Sequence, residues 1–333
     1  MVPGNKAEIA DPLASSPYSP LLLHLSQNRH RLPRMHRLVT VLFLVFFSAS
    51  CASAQGSTAD ETAFRLALPN HRGQLQWRAN GFTVLQSSAK ENGNEIGIRG
   101  RDSTGLTYLA FLFLVPEQNS LTSGRCRDGV LGVERKEAPA FKLSATSELQ
   151  RPGALPLALA TYTEGTTKKT FSARGFIATA DICGDIQFYD QSPIDADDPR
   201  IKGILETFQL DPAYVPQFHD AFVYAQILYK AEHYSAAAPI FEQALTMLGD
   251  AKEAQTWRRV TTDQAGMSYG ISGNIAKARE IFNTAILKDP DYPMFYYNLA
   301  CADAEENKLF RRPPSPPGSI RAESKCTTGR KHT

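Results

Sequence analysis

Residues 258–292 read RRVTTDQAGMSYGISGNIAKAREIFNTAILKDPDY, and this stretch decides how the C-terminal part of the chain folds. It contains two runs with helical spacing, which are separated by Gly273 and Asn274 and followed by Pro290. Small and aromatic residues recur three to four positions apart on each run and therefore share one helix face. These residues are Ala265, Gly266 and Tyr269 on the first run, and Ala278, Phe282 and Ala285 on the second. The pattern predicts two helices that approach closely at the small residues.

This series of small and aromatic residues, closed by a proline, resembles the tetratricopeptide repeat (TPR), whose usual period is about 34 residues. The first repeat of this kind, residues 218–251, has the same order at Ala237, Phe241 and Ala244. Ala237 and Ala278 are 41 positions apart, because residues 250–257 add helix-forming residues before the second repeat at 259–292. A third repeat at 293–308 contains only a first helix.

The TPR resemblance implies a function as well as a fold. In this family the first helix of each pair lines a concave groove that holds a protein or peptide segment. The positions that correspond to the groove have aromatic, methionine and charged side chains, which suit an apolar or amphipathic segment. They are Phe222, Gln226, Tyr229, Lys230, Asp263, Met267 and Tyr297. The alternative is that Phe222 and Met267 pack against the preceding domain and contact no partner.

The array is predicted to end abruptly. A helix from Pro293 has an apolar face that is expected to dock onto the second repeat, formed by Phe295, Tyr296, Leu299, Ala300 and Ala304. The proline-rich run that follows cannot continue as a second helix, and residues 309–333 are predicted to be a disordered tail. Apolar surface should therefore be exposed at the end of the repeats, where a partner or self-association would cover it.

Residues 60–211 have a different pattern, with short apolar runs between turn signals. Helices are predicted at 121–134 and after Pro199, and the strand candidates are Phe64–Leu68, Glu95–Arg99, Tyr108–Val115, Leu157–Tyr162, Gly175–Ile182 and Asp185–Tyr189. Tyr108–Val115 is apolar on both faces and is expected near the centre of a covered sheet. We predict an α+β fold: an antiparallel-sheet domain with flanking helices, followed at 213–308 by a short all-α TPR solenoid. The sheet domain resembles exported domains of the PsbP and Mog1 type.

The N-terminal residues predict export. Residues 1–34 are interpreted as a disordered extension and residues 35–54 as a signal peptide, with a largely apolar run at 38–49 before an A-x-A site at Ala52–Ala54. A membrane-spanning helix needs about 20 apolar residues, so no integral span is expected in the mature chain. The protein is predicted to be secreted or periplasmic. A lipoprotein at Cys51 is less well supported, because Ser48 occupies a position where such sites have a leucine or similar residue.

The sequence contains few motifs that would indicate catalysis, metal binding or nucleic-acid binding. The net charge of +2 argues against nucleic-acid binding, and the cysteines include no CxxC pair that would indicate zinc. Gly266–Gly270 matches the G-x-S-x-G motif of serine hydrolases but lacks a preceding strand. We therefore expect no cofactor, no metal and no enzymatic activity. Two questions stay open: whether Cys126 and Cys183 pair, and whether the protein is instead an exported enzyme or ligand-binding module with its site in the α+β domain.

Overall fold

The computed structural model describes residues 63–115, 121–138, 140–194, 197–249 and 254–306. The predicted N-terminal extension, signal peptide and C-terminal tail lie outside these residues. Within the described ranges, no helix has the length and apolar character needed to cross a bilayer.

The N-terminal half of the described chain forms two antiparallel sheets. The strands in chain order are β1 (Ala63–Ala67), β2 (Gln74–Arg78), β3 (Phe82–Ala89), β4 (Glu95–Asp102), β5 (Thr107–Leu114), β6 (Lys142–Leu149), β7 (Leu157–Glu164), β8 (Thr170–Thr179), β9 (Ile182–Asp190) and β10 (Gln209–Asp211). The larger sheet has the order β3-β4-β5-β9-β8-β7-β6, and the smaller sheet has the order β1-β2-β10.

In the described ranges, two helices accompany the sheets and five more follow them. The first two are α1 (Ser123–Glu137) and α2 (Pro199–Thr207). The C-terminal helices are α3 (Phe218–Lys230), α4 (Tyr234–Met247), α5 (Gln255–Ile271), α6 (Ile275–Lys288) and α7 (Pro293–Glu305). The chain is thus α+β, with antiparallel sheets followed by a helical region.

Glycines let the layers of the sheet domain approach closely. Leu75 of β2 packs on Gly184 of β9, where an added Cβ would lie 2.6 Å from a leucine methyl carbon. Leu205 of α2 packs in the same way on Gly175 of β8, at 2.6 Å. The small sheet and α2 therefore cover one face of the large sheet, and Trp77 lies in the core between them.

Helix α1 packs against β7 and β8. Its N-terminus is capped by Thr122, whose hydroxyl accepts a hydrogen bond from the Arg125 amide at 3.2 Å. A disulfide joins Cys126 of α1 to Cys183 of β9, with 6.2 Å between the two Cα atoms. The pairing that the sequence left open is therefore present, and it ties the first turn of α1 to the centre of the sheet.

The strand predictions were correct for most of the buried strands and incomplete elsewhere. The predicted Gly175–Ile182 crosses a tight turn at Ala180 and Asp181, where β8 ends and β9 begins. The edge strands β3 and β6 were missed because their sequences, FTVLQSSA and KLSATSEL, are rich in polar residues. The short strands β2 and β10 were also missed. Strand β5 lies inside the large sheet, beside the central β9.

The sheet domain and the helical region share one hydrophobic core. The Tyr224 hydroxyl of α3 lies 2.6 Å from the Lys90 carbonyl oxygen and 2.9 Å from that of Glu95, on the β3–β4 hairpin. Gln243 of α4 donates to the Pro69 carbonyl at 2.7 Å. Since these contacts join distant parts of the chain, the helices are held in a defined position against the sheets.

Candidate protein-binding surface

Two helix hairpins with the same internal packing build the candidate surface. In the α5–α6 hairpin, the Phe282 ring lies directly over Gly266, where no Cβ would fit without displacement. In the α3–α4 hairpin, Phe241 occupies the corresponding position, and both Phe241 and Ala225 are fully buried. Small residues on the first helix of each pair therefore make room for an aromatic ring on the second.

The turns inside the two hairpins also match. The backbone amide of His233 donates to the Leu228 carbonyl at 2.9 Å, and the backbone amide of Asn274 donates to the Tyr269 carbonyl at 2.8 Å. The residue before each donor has a left-handed conformation, with φ of 65° at Glu232 and 94° at Gly273. Both helices thus end in a Schellman motif. Glu232 and Gly273 are 41 positions apart, the same interval that separates Ala237 from Ala278.

Phe222, which the sequence assigned to the groove, is a core residue. Only 3% of its surface is exposed, and its ring lies 5.2 Å from Trp257 and 5.8 Å from Phe241. Trp257 belongs to the N-terminal part of α5, before residue 259, where the second repeat was predicted to begin. Because this part of α5 covers the first helix, Phe222 has no surface left for a partner.

Gln226 and Asp263 are buried as well, each with 8% of its surface exposed. Asp263 accepts hydrogen bonds from the Tyr292 hydroxyl at 2.9 Å and from the Asn298 amide at 3.0 Å. Burial raises the pKa of the Asp263 carboxyl to about 6, although these two donors act in the opposite direction. Asp263 therefore joins α5 to α7 rather than facing solvent.

The remaining residues that were predicted to line a groove keep exposed surface. Lys230 is exposed, Tyr229 and Met267 are half-buried, and Tyr297 is 48% exposed. The sequence prediction missed exposed apolar neighbours on the same helices: Val223 on α3, Ile271 on α5 and Met294 on α7. Helical spacing was the available signal, since Ile271 lies four residues after Met267 and Met294 lies three before Tyr297.

Helix α7 packs through a different face from the predicted one. Phe295, Asn298 and Ala302 are buried, whereas Tyr296 and Ala300 are exposed. The helix is therefore rotated by roughly one residue, about 100°, from the predicted orientation. Asn298 turns inward because its amide donates to Asp263. The expected exposed apolar surface is present at the end of the described helical region, where Met294, Tyr296 and Tyr297 are each more than 40% exposed.

Three charged side chains in the sheet domain form a buried cluster of ion pairs. Arg174 of β8 donates to Glu134 of α1 at 2.5 Å and to Asp185 of β9 at 2.9 Å. All three side chains are at most 2% exposed. Burial alone would lower the pKa of Arg174, but the neighbouring Asp185, Tyr162 and Glu134 raise it. The cluster attaches α1 to the sheet and is closed to solvent.

An open cleft of about 430 Å³ lies between α2 and the β6–β7 hairpin. Arg151 in its wall donates to the carbonyls of Leu205 and Phe208, which end α2, at 3.3 and 2.5 Å. Its guanidinium thus caps the C-terminal end of α2. Among the described residues, no three His, Cys, Asp or Glu side chains are grouped closely enough to hold a metal ion.

The G-x-S-x-G motif lies wholly inside α5. Ser268 is fully buried, and its hydroxyl donates to the Gln264 carbonyl one turn earlier at 2.6 Å. A nucleophile elbow requires a strand, a sharp turn and a helix. The motif therefore serves helix packing, with Gly266 beneath Phe282.

No protein-family model and no curated protein matches the chain. Two solved structures are similar in part. Cyanobacterial PsbP (CyanoP) from Synechocystis sp. PCC 6803 is 11% identical with a TM-score of 0.33, over 48% of this chain and 99% of that chain. A protein from Bacteroides thetaiotaomicron VPI-5482 is 10% identical with a TM-score of 0.27, over 64% of this chain and 77% of that chain.

Proposed function

We propose that the protein is an exported, non-enzymatic scaffold whose helical region is a TPR-type array that binds an apolar or amphipathic segment of another protein. The observation that carries the proposal is the apolar surface on α5 and α7. Met267, Ile271, Met294 and Tyr297 recur at helical spacing on these two neighbouring helices, and the last three are each at least 41% exposed. We call these four residues the α5–α7 surface.

The packing of the two hairpins supports the TPR assignment. The ring of Phe282 over Gly266 and the matching pair of Phe241 and Ala225 follow the family's order of small and aromatic residues. The two Schellman turns recur at the same interval. Such arrays present partner-binding side chains on the first helix of each pair, here α3, α5 and α7.

The chemistry of the α5–α7 surface favours an apolar partner segment. Methionine and tyrosine side chains adapt to varied apolar shapes while offering few fixed polar contacts. An extended or helical peptide with apolar residues is the matching ligand. Self-association through the exposed end of the array is the competing use of the same side chains.

Site-specific crosslinking tests this function. A photo-crosslinking amino acid at Tyr297 is expected to capture a partner, whereas the same group at Val215, 50% exposed on the connection before α3, is not. Met267→Ser combined with Ile271→Ser should weaken binding of the captured partner about tenfold or more, since buried apolar contacts dominate such interfaces. Equal crosslinking from both positions, or binding unaffected by the double substitution, would contradict the proposal.

Phe222→Ala serves as the stability control for these variants. Because Phe222 packs against Phe241 and Trp257, its truncation is expected to cost about 3–5 kcal/mol of folding free energy. The surface variants should unfold at nearly the wild-type temperature. If Met267→Ser lowered the melting temperature as much as Phe222→Ala does, its effect on binding would reflect folding, and the site assignment would be wrong.

Export is supported by the disulfide between Cys126 and Cys183, since such bonds persist mainly in oxidising compartments. N-terminal sequencing of the protein from the secreted or periplasmic fraction should begin at or near Gln55. Recovery of an intact chain with residues 1–34 from the cytoplasm would contradict this part of the proposal.

A further inference from the structure

The last described helix exposes two tyrosines on either side of small residues. On α7, Tyr296 is 47% exposed and Tyr297 is 48% exposed. Helical spacing places Pro293, Ala300 and Ala304 on the strip of surface between them. The opposite side of the helix packs inward. The outer face of α7 thus carries a strip of small residues flanked by two exposed tyrosines, which we call the tyrosine trough.

Proline-rich segments are the ligands that this geometry suits. In the polyproline II conformation such a segment has three residues per turn, and its rings pack well against aromatic side chains. It loses little conformational entropy on docking, since proline already restricts φ. Tyrosines add hydroxyl groups that can donate to the exposed carbonyls of the segment.

The chain contains such a segment next to the trough. Residues 311–318 read RRPPSPPG and begin five positions after Glu306, the last described residue. An extended chain spans up to about 3.3 Å per residue, so residues 307–312 could bridge about 20 Å. Helix α7 has 13 residues and is about 20 Å long. The proline-rich segment can therefore reach both tyrosines of its own molecule.

Charge favours the same placement. The C-terminal end of α7 carries Asp303, Glu305 and Glu306, and Arg279 bonds to two of them, at 2.8 and 3.2 Å. A helix C-terminus also has partial negative charge. Arg311 and Arg312 would pass this acidic end as the chain turns back along α7.

We propose that residues 311–317 dock in the tyrosine trough of the same chain, with prolines packed between Tyr296 and Tyr297. The contact stands independently of the proposed scaffold function, because it needs no second protein. Tyr297 also belongs to the α5–α7 surface, so the docked segment would limit access to part of that surface.

Tyrosine nitration of the full chain tests the contact. Replacing Pro313, Pro314, Pro316 and Pro317 by alanine should raise the nitration rates of Tyr296 and Tyr297 about tenfold, which corresponds to about 1.4 kcal/mol of docking free energy. Half-buried Tyr234 is the internal reference, and its rate should not change. Ser315→Ala is the matched control within the same segment and should leave all rates at the wild-type value. Adding a synthetic RRPPSPPG peptide to the proline variant should restore protection.

Three results would overturn the proposal. The first is equal nitration of Tyr296 and Tyr297 in the wild type and in the proline variant. The second is an increase that Tyr234 shares, which would indicate general loosening. The third is protection that grows with protein concentration, because the segment would then dock on a second copy of the chain.

Discussion

Gly266 is the residue at which the α5–α6 hairpin has least room. An added Cβ would overlap the Phe282 ring, so Gly266→Ala is expected to lower the free energy of unfolding by about 1–3 kcal/mol despite alanine's higher helix propensity. Gly270→Ala, four residues later, is the matched control. Its Cβ would lie 3.7 Å from that of Ala278, an ordinary contact, so it should be neutral or stabilising. Urea unfolding of both variants decides the point, and equal losses would refute the packing argument.

Glu232 holds a left-handed conformation that its Cβ disfavours. Its φ is 65°, and the corresponding residue of the second hairpin is a glycine. Glu232→Gly should therefore stabilise the protein by about 0.5–1 kcal/mol, the relieved strain exceeding the added entropy of the unfolded chain. The reciprocal Gly273→Ala should destabilise it. Thermal unfolding measures both effects, and a loss of stability in Glu232→Gly would show that this side chain makes a compensating contact.

At the scale of elements, the junction between α5 and α7 should respond to pH. Burial raises the pKa of Asp263 from 3.8 to about 6, so the folded protein retains this proton where the unfolded chain releases it. Stability from this group is therefore greatest below pH 3.8 and falls as the pH rises to about 6.

Asp263→Asn removes this ionisation. The stability of the variant relative to the wild type should increase by about 2–3 kcal/mol between pH 4 and pH 7. Urea unfolding over this range measures the difference, with Asp291→Asn as an exposed control. A difference that does not vary with pH would mean that Asp263 ionises alike in both states.

At the scale of the whole molecule, the sheets and helices should unfold together. One core runs through both parts, and each contains one of the chain's two tryptophans, Trp77 and Trp257. Fluorine NMR of the wild-type chain labelled with 5-fluorotryptophan keeps both core residues, and the two signals should report the same denaturation midpoint. Tyr224→Phe removes the hydroxyl contacts with the Lys90 and Glu95 carbonyls. It should lower the free energy of unfolding by about 1 kcal/mol and should shift both midpoints equally. Two separated midpoints would show that the parts unfold independently.

Local spacing in the sequence determined the helix hairpins and the buried strands. Ala278, Phe282 and Ala285 predict a packed helix face from positions four residues apart at most, and all three are buried. Ile201, Ile204 and Leu205 share one face of the helix predicted after Pro199 and are likewise buried. These features are predictable because neighbouring residues alone produce the periodicity. Edge strands β3 and β6 lack it, since their polar side chains face solvent.

Some helices have more than one apolar face, and only the tertiary structure decided which of those faces is buried. Helix α7 has apolar residues all round, so its sequence does not distinguish Tyr296 from Ala302, and the contact of Asn298 with Asp263 sets its rotation. Phe222 likewise suits either a groove or a core, and Trp257, 35 positions away, covers it. The pairing of Cys126 with Cys183 depends on the packing of α1 against the sheet. Each outcome depends on contacts between distant positions, and local periodicity carries no information about those contacts.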